Sequence, residues 1–128
     1  MVLPKSMRLQ GHRCFDHLYR EGIRYHEPSM LLRVVKAKPS LQKSKLKKFN
    51  SQDCRCAIAI SNKVNKRAVI RNRLRRLMHQ HLIAKLSGVS AHSNKWVLFS
   101  LKPQSSNKKP SQLLNECNRL LLKAGLIL

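Results

Sequence analysis

The segment that most constrains the fold runs from Asn65 to Leu82 and reads NKRAVIRNRLRRLMHQHL. It contains five arginines and one lysine but no acidic residue. Its aliphatic side chains recur at intervals of three and four residues, which predicts an amphipathic helix from about Asn65 to Leu86. At about 100° per residue, one stripe of this helix should face the core, and it consists of Ile70, Leu74, Leu77 and Met78.

Polar side chains occupy the remainder of the same predicted helix. The pole opposite Leu74 should carry Asn72, Arg76 and His79, with Arg73 and Arg75 on its flanks. A helix face that is merely solvated usually mixes acidic and basic residues, because like charges at i,i+4 destabilise a helix. This face has no acid, and the arginine guanidinium can donate to two phosphate oxygens at once. We therefore favour phosphate binding over a solvated charged face.

Composition extends this argument to the whole chain. The 128 residues are 42% hydrophobic, which is enough for one domain, residues 1–128, with its own core. The net charge is +22, and no Asp or Glu occurs between Cys54 and Asn115. An external polyanion is the expected counter-charge, with nucleic acid as the leading class. No apolar run is long enough for a membrane helix and no signal peptide opens the chain, so we expect a cytoplasmic protein without a membrane partner.

The four cysteines do not have the spacing of a zinc site. Cys54 and Cys56 fall on one side of a period-2 segment, while Cys14 and Cys117 belong to separate helical segments. We expect buried, reduced thiols and no metal site. The sequence also shows no Ser/His/Asp set, no close carboxylate pair and no glycine-rich phosphate loop, so no catalytic side chain is predicted.

Five other segments have recognisable patterns. Two are helices, at about Gly11–Arg20 with Gly22 as its stop, and at about Ser111–Ala124 with Ser111 as its cap and Gly125 as its stop. Three are strands, at Ser29–Ala37, Cys54–Ile60 and Trp96–Leu101. The polar basic stretch 38–53 is predicted to be a loop, and a solvated connection is the simplest interpretation. This order indicates a sheet covered by helices.

Several motifs together resemble one known family. The stretch KVNKRAVIRNRLRRL, Lys63 to Leu77, resembles the Arg-Asn-Arg helix of the bacterial ribonuclease P protein subunit. The opening LPKSMRLQGHRCFDHLYREGIRY, Leu3 to Tyr25, resembles the beginning of the same family. CAIAISNK, WVLFSLKP and the leucine-rich final helix follow in the family's order, so the resemblance covers essentially the whole chain.

The resemblance implies an α+β fold, a two-layer α/β sandwich in the order α-β-β-β-α-β-α, with an unusual left-handed β-α-β crossover. It also implies a subunit that joins a catalytic RNA and helps remove the 5′ leader from precursor tRNA. The chemistry would then belong to the RNA and its Mg²⁺ ions. The protein would need no cofactor of its own and no protein partner.

Individual residues match the family's motifs. Binding to the catalytic RNA is expected of Lys63, Lys66, Arg67, Arg71, Asn72, Arg73, Arg75 and Arg76. Binding to the single-stranded leader is expected of Phe15 and Tyr19 by base stacking, with charge supplied by Arg8 and Arg33. The alternative for both aromatic residues is core packing of the first helix on the sheet.

The sequence departs from the family's pattern at four positions. Cys14 stands where an acid usually precedes the Phe, His79 where a further Arg is common, and Leu101 where a strand often ends in Arg. Arg33 stands where an aromatic residue is common, which would shift this surface from stacking towards phosphate pairing.

Two other functions compete with the resemblance. A structural ribosomal-type RNA-binding protein would have the same basic composition, but the joint occurrence of the opening motif and the Arg-Asn-Arg helix favours the processing subunit. A protein-only nuclease is disfavoured because five acidic residues, none closely paired, offer few magnesium ligands.

Overall fold

A mixed β-sheet organises the fold in the computed structural model, which describes residues 7–9, 11–36, 55–86 and 95–126. Its four strands are β1 (Ile23–His26), β2 (Met30–Lys36), β3 (Arg55–Ala59) and β4 (Lys95–Leu101), in the spatial order β1-β2-β4-β3. β2 is antiparallel to both β1 and β4, whereas β3 and β4 are parallel. Parallel neighbours require a crossover, and the helix α2 (Ala68–Leu86) lies in that connection.

These elements confirm the α+β class and the predicted element order. The three strands placed from the sequence agree with β2, β3 and β4 to within one residue at each end. The handedness of the crossover stays a prediction. The predicted loop 38–53 lies outside the described residues.

The two faces of the sheet are covered by different helices. Helix α1 (His12–Glu21) packs on one face, here called the α1 face, where Cys14 and Leu18 meet Trp96 and Leu98. On the opposite face, α2 and α3 (Pro110–Lys123) enclose the larger core with alternate residues of the same strands, including Val97 and Phe99. A strand buried on both faces should be apolar at successive positions, which explains the uninterrupted run WVLF in β4.

The helix ends are set largely by glycine. Gly22 ends α1, as predicted, and a Cβ atom there would lie 2.3 Å from the carbonyl oxygen of Leu18. Gly125 follows α3 with φ 72°, a left-handed conformation that favours glycine, as predicted for the stop of this helix.

The predicted cap of α3 is wrong. Ser111 lies inside the helix, which begins one residue earlier because Pro110, with its fixed φ and missing N–H, suits the first helical position. The cap position belongs to Lys109, whose backbone N–H donates to Oε1 of Gln112 at 3.1 Å. A short 3-10 helix, Pro103–Asn107, precedes α3.

The described cysteines lie in the core. Cys14, Cys56 and Cys117 are buried free thiols, as expected, and burial raises the pKa of Cys117 to about 12. Such thiols remain protonated and unreactive at neutral pH. Within the described residues, no group of three or more His, Cys, Asp or Glu side chains could hold a metal ion. None of the helices in these ranges is long and apolar enough to cross a membrane.

Two buried acids attach α3 to the turn between β1 and β2. Glu116 accepts a hydrogen bond from the backbone N–H of Ser29 at 2.8 Å. Glu27 accepts from Arg119 at 2.7 Å and also from Lys123, and the Lys123 hydrogen bond is the main reason that the pKa of Glu27 is lowered. Both acids therefore already accept hydrogen bonds that stabilise the fold.

Candidate nucleic-acid interface

The exposed side of α2 carries a basic surface. Asn72, Arg73 and Arg76 are exposed there, and Val69 among them is 66% exposed. These four residues, here called the α2 ridge, line a shallow depression of about 230 Å³. Arg73 and Arg76 form no hydrogen bond or salt bridge within the described part of the chain. Their guanidinium groups are therefore available to an external anion.

A basic turn leads into the ridge. Lys63, Lys66 and Arg67 are exposed, while Val64 is buried and anchors the turn in the core. Oδ1 of Asn65 accepts from the backbone N–H of Arg67 at 2.9 Å. Asn readily forms such local bonds in place of helix, which explains why α2 begins at Ala68 and not at the predicted Asn65.

Two of the arginines predicted to bind the catalytic RNA form hydrogen bonds within the protein. Nη1 of Arg71 donates to the carbonyl oxygens of Asn65 and Lys66, each at 2.9 Å. Nη1 of Arg75 donates to Oδ1 of Asn72 at 2.8 Å. Both arginines are half-buried, in contrast to Arg73 and Arg76, which are exposed. Arg71 thus fixes the basic turn against α2, and Arg75 orients the amide of Asn72.

The buried side of α2 is rotated relative to the sequence prediction. Met78 is buried as expected, and Leu74 and Leu77 are half-buried against the core, but the buried line continues through Leu82 and Leu86. His79, predicted near the exposed pole, is half-buried, so that expectation is wrong. Arg73 lies on the exposed side of the helix.

A second basic surface lies on the α1 face. Tyr19 is 55% exposed, and the guanidinium carbon of Arg33 lies 4.6 Å from the centre of its ring. Nη1 of Arg33 also donates to Oγ of Ser100 at 3.3 Å. Phe15 is half-buried and packs against the apolar cluster of Leu18 and Leu98. We call Phe15, Tyr19, Arg33 and Ser100 the α1-side surface.

The fourth residue predicted for leader binding lies elsewhere. The backbone of Arg8 forms an isolated parallel bridge with Cys56 of β3. The carbonyl oxygen of Arg8 accepts a hydrogen bond from Nη1 of Arg55 at 3.0 Å. With β3 and β4 between them, Arg8 and Arg33 are three strand spacings apart, or roughly 14 Å. The structure therefore brings Tyr19 and Arg33 together but leaves Arg8 at the opposite edge of the sheet, beside β3.

Sequence reasoning missed Arg24. It lies in β1 directly opposite Arg33 of β2, so both side chains project from the α1 face. The only signal was the alternation of apolar and basic residues in IRYH, Ile23 to His26, which is too short to place a strand or its register.

Known proteins that are similar to this chain identify its family. The family model described as Ribonuclease P matches residues 3–125. The chain belongs to the ribonuclease P protein family. Among its relatives, the ribonuclease P protein component of Prochlorococcus marinus (strain MIT 9313) is 57% identical over 127 residues, which is 99% of each chain. That of Parasynechococcus marenigrum (strain WH8102) is 53% identical over 126 residues, 98% of each chain.

Solved structures of the ribonuclease P family share the fold. The RNase P protein of Staphylococcus aureus superposes with a TM-score of 0.75 at 16% identity, covering 94% of this chain and 97% of that one. The RNase P protein of Thermotoga maritima gives a TM-score of 0.67 at 15% identity, covering 88% and 94%. The family model and the relatives at 53–57% identity favour the processing subunit over the alternative of a ribosomal-type protein.

Proposed function

We propose that this chain is the protein subunit of ribonuclease P, which binds a catalytic RNA and the 5′ leader of precursor tRNA and assists removal of the leader. The observation that carries the proposal is family membership along nearly the whole chain, since relatives named as ribonuclease P protein components match 98–99% of it. The basic turn and the α2 ridge supply a surface suited to RNA phosphates.

The catalytic RNA is assigned to the turn and the exposed side of α2. None of the cations from Lys63 to Arg76 forms a salt bridge with a described acid. Direct phosphate contacts are assigned to Lys63, Lys66, Arg67, Arg73 and Arg76, which are exposed. Arg71 and Arg75 are also assigned to this surface, because their internal hydrogen bonds occupy only some of the N–H donors of each guanidinium group.

The leader is assigned to the α1-side surface. A single-stranded base can stack on the exposed ring of Tyr19, and such stacking tolerates any base sequence. Phe15, which is half-buried, contributes an aromatic edge and also holds α1 on the sheet. Arg8, at the opposite edge of the sheet, would reach a different part of the bound RNA.

The cleavage chemistry is assigned to the RNA and its Mg²⁺ ions. Three described acids are already engaged within the protein, because Glu21 contacts His17 while Glu27 and Glu116 hold α3. No metal ligand set is therefore assigned to the protein. We further propose a cytoplasmic location, supported by the buried free thiols, since disulfides are rare where thiols are kept reduced.

Reconstitution tests the proposed function. The purified chain is mixed with a ribonuclease P catalytic RNA and a precursor tRNA at a low Mg²⁺ concentration, where charge neutralisation by the protein matters most. The protein alone should cleave nothing, and the particle should generate mature 5′ ends. Cleavage by the protein after removal of all RNA would contradict the proposal, and so would a particle no more active than the RNA alone.

A further inference from the structure

Two arginines lie side by side at the edge of the sheet. Arg24 in β1 and Arg33 in β2 are directly opposed in an antiparallel pair. Directly opposed residues point to the same face, with Cβ atoms about 5 Å apart. Arg33 contacts Tyr19 and Ser100 on the α1 face, so Arg24 projects from that face as well.

This arrangement concentrates positive charge without an internal counter-charge. Neither Arg24 nor Arg33 forms a salt bridge with any acid in the described ranges. Like charges placed directly opposite each other on neighbouring strands destabilise a sheet. The end of α1 passes close by, since a Cβ atom on Gly22 would lie 3.4 Å from Cβ of Arg33, and the partial negative charge of a helix C-terminus offsets only part of the repulsion.

Tyr19 completes the group. Arg33 occupies one face of the Tyr19 ring, yet more than half of the tyrosine side chain remains exposed. An aromatic ring backed by a guanidinium group offers its open side to a base, while the neighbouring cations attract the phosphate attached to that base. Arg33 lies against the Tyr19 ring and directly opposite Arg24, so the ring and both cations can act on one nucleotide of a flexible single strand.

We propose that Tyr19, Arg24 and Arg33 form a nucleotide subsite of the leader, in which a base stacks on Tyr19 and the adjoining phosphodiester lies between the two arginines. This inference rests on the proposed function and deepens it, because it assigns Arg24 and the outer edge of β1 to the substrate. Binding of the leader phosphate would relieve the electrostatic repulsion between Arg24 and Arg33 that is present in the free protein. Arg24 is the residue to test, since it is exposed whereas Arg33 is half-buried and bonded to Ser100.

The experiment compares Arg24→Gln with the matched variant Arg13→Gln in the full chain. Arg13 is also exposed, but it lies on the side of α1 turned away from the buried Leu18, so its loss removes the same charge outside the subsite. Each variant is assembled with the catalytic RNA, and assembly is checked by titration. Binding under non-cleaving conditions is then measured for one precursor tRNA with a single-nucleotide leader and for the same tRNA with a leader of about ten nucleotides.

A neutral-linkage scan locates the phosphate. Single methylphosphonate linkages are placed at successive positions of the longer leader, and binding is measured with wild-type protein and with Arg24→Gln. If Arg24 binds one phosphate, neutralising that linkage and removing Arg24 should be non-additive at that position and additive elsewhere. Thermal melting of the free protein adds an independent readout, because Arg24→Gln should leave the Tm unchanged or raise it by relieving the repulsion.

We expect Arg24→Gln to weaken binding of the long-leader precursor roughly 3- to 10-fold, with no loss for the single-nucleotide leader and little effect of Arg13→Gln. Equal losses for the two variants, equal losses for the two leaders, or additivity at every linkage would overturn the subsite. A wild-type particle that fails to produce mature 5′ ends would instead overturn the proposed function. The two failures are therefore distinguishable.

Discussion

The α2 ridge and the α1-side surface both present arginine to solvent, but they hold it differently. Arg73 and Arg76 on the ridge have no described partner, whereas Arg33 is held by the Tyr19 ring and the Ser100 hydroxyl. Free side chains can adapt to a large folded RNA whose phosphates are fixed in space. A flexible single strand has no fixed shape, so the binding site itself must be ordered. An arginine that is already fixed by contacts within the protein loses less side-chain entropy when it binds.

The same difference determines what a substitution does. Removing a ridge arginine takes away charge and little else, whereas the α1-side surface stands on a helix that is itself part of the core. Changes there can alter stability and binding together. Variants of graded severity can therefore separate the two surfaces.

The largest effect should come from Leu18→Ala, beneath the α1-side surface. Leu18 is fully buried, so its truncation should lower the free energy of unfolding by about 2–5 kcal/mol. Chemical denaturation measures this loss. The matched change Val69→Ala on the exposed ridge should stay within about 0.5 kcal/mol of wild type. Equal losses at the two positions would show that α1 is not a core element.

Tyr19→Ala should weaken binding of leader-containing precursors by about 1–3 kcal/mol, the usual value of one stacked base. Mature tRNA and assembly with the catalytic RNA should be nearly unaffected, because the ridge is unchanged. Competition binding with both substrates checks this, and thermal melting is the control. A large fall in Tm with equal effects on both substrates would make Tyr19 a packing residue.

Arg73→Ala should flatten the salt dependence of catalytic-RNA binding. Each phosphate contact contributes a slope of roughly −0.7 to −0.9 in log affinity against log salt, so losing one should reduce the slope by nearly one unit. Affinities measured at several salt concentrations give the slope. An unchanged slope would place Arg73 away from the RNA.

The smallest change in stability is expected for Arg76→Ala. The side chain is exposed and no described group bonds to it, so the free energy of unfolding should change by less than about 0.5 kcal/mol while catalytic-RNA binding weakens. Denaturation and RNA titration on the same preparation test both parts. A clear loss of stability would mean that the ridge supports the fold after all.

Much of the fold was predictable because local patterns and tertiary packing agree. The glycine stops at Gly22 and Gly125 and the apolar run of β4 were confirmed. The strand β1 could not be placed, because its four residues are mostly exposed and their apolar and basic alternation is too short to indicate a strand. A register such as Arg24 opposite Arg33 arises only when two strands pair, and no local signal encodes it.

The orientation of α2 illustrates a further limit. A stripe chosen from Ile70 to Met78 describes only the first half of the helix, since each step of four residues rotates by about 40° beyond a full turn. The buried residues Met78, Leu82 and Leu86 follow that drift. The basic character of the surface was therefore predictable from composition, but the division between exposed arginines and internally bonded ones depends on the tertiary structure.

The place of β4 in the sheet has a consequence for the order of folding. β4 lies between β2 and β3, yet it is made after both of them and after α2. During synthesis, β2 and β3 therefore each present an unpaired edge until Lys95–Leu101 emerges, and only then can a continuous sheet form. Nascent chains that stop after Leu86 should remain sensitive to proteases, because the strand that joins the two halves of the sheet is still missing.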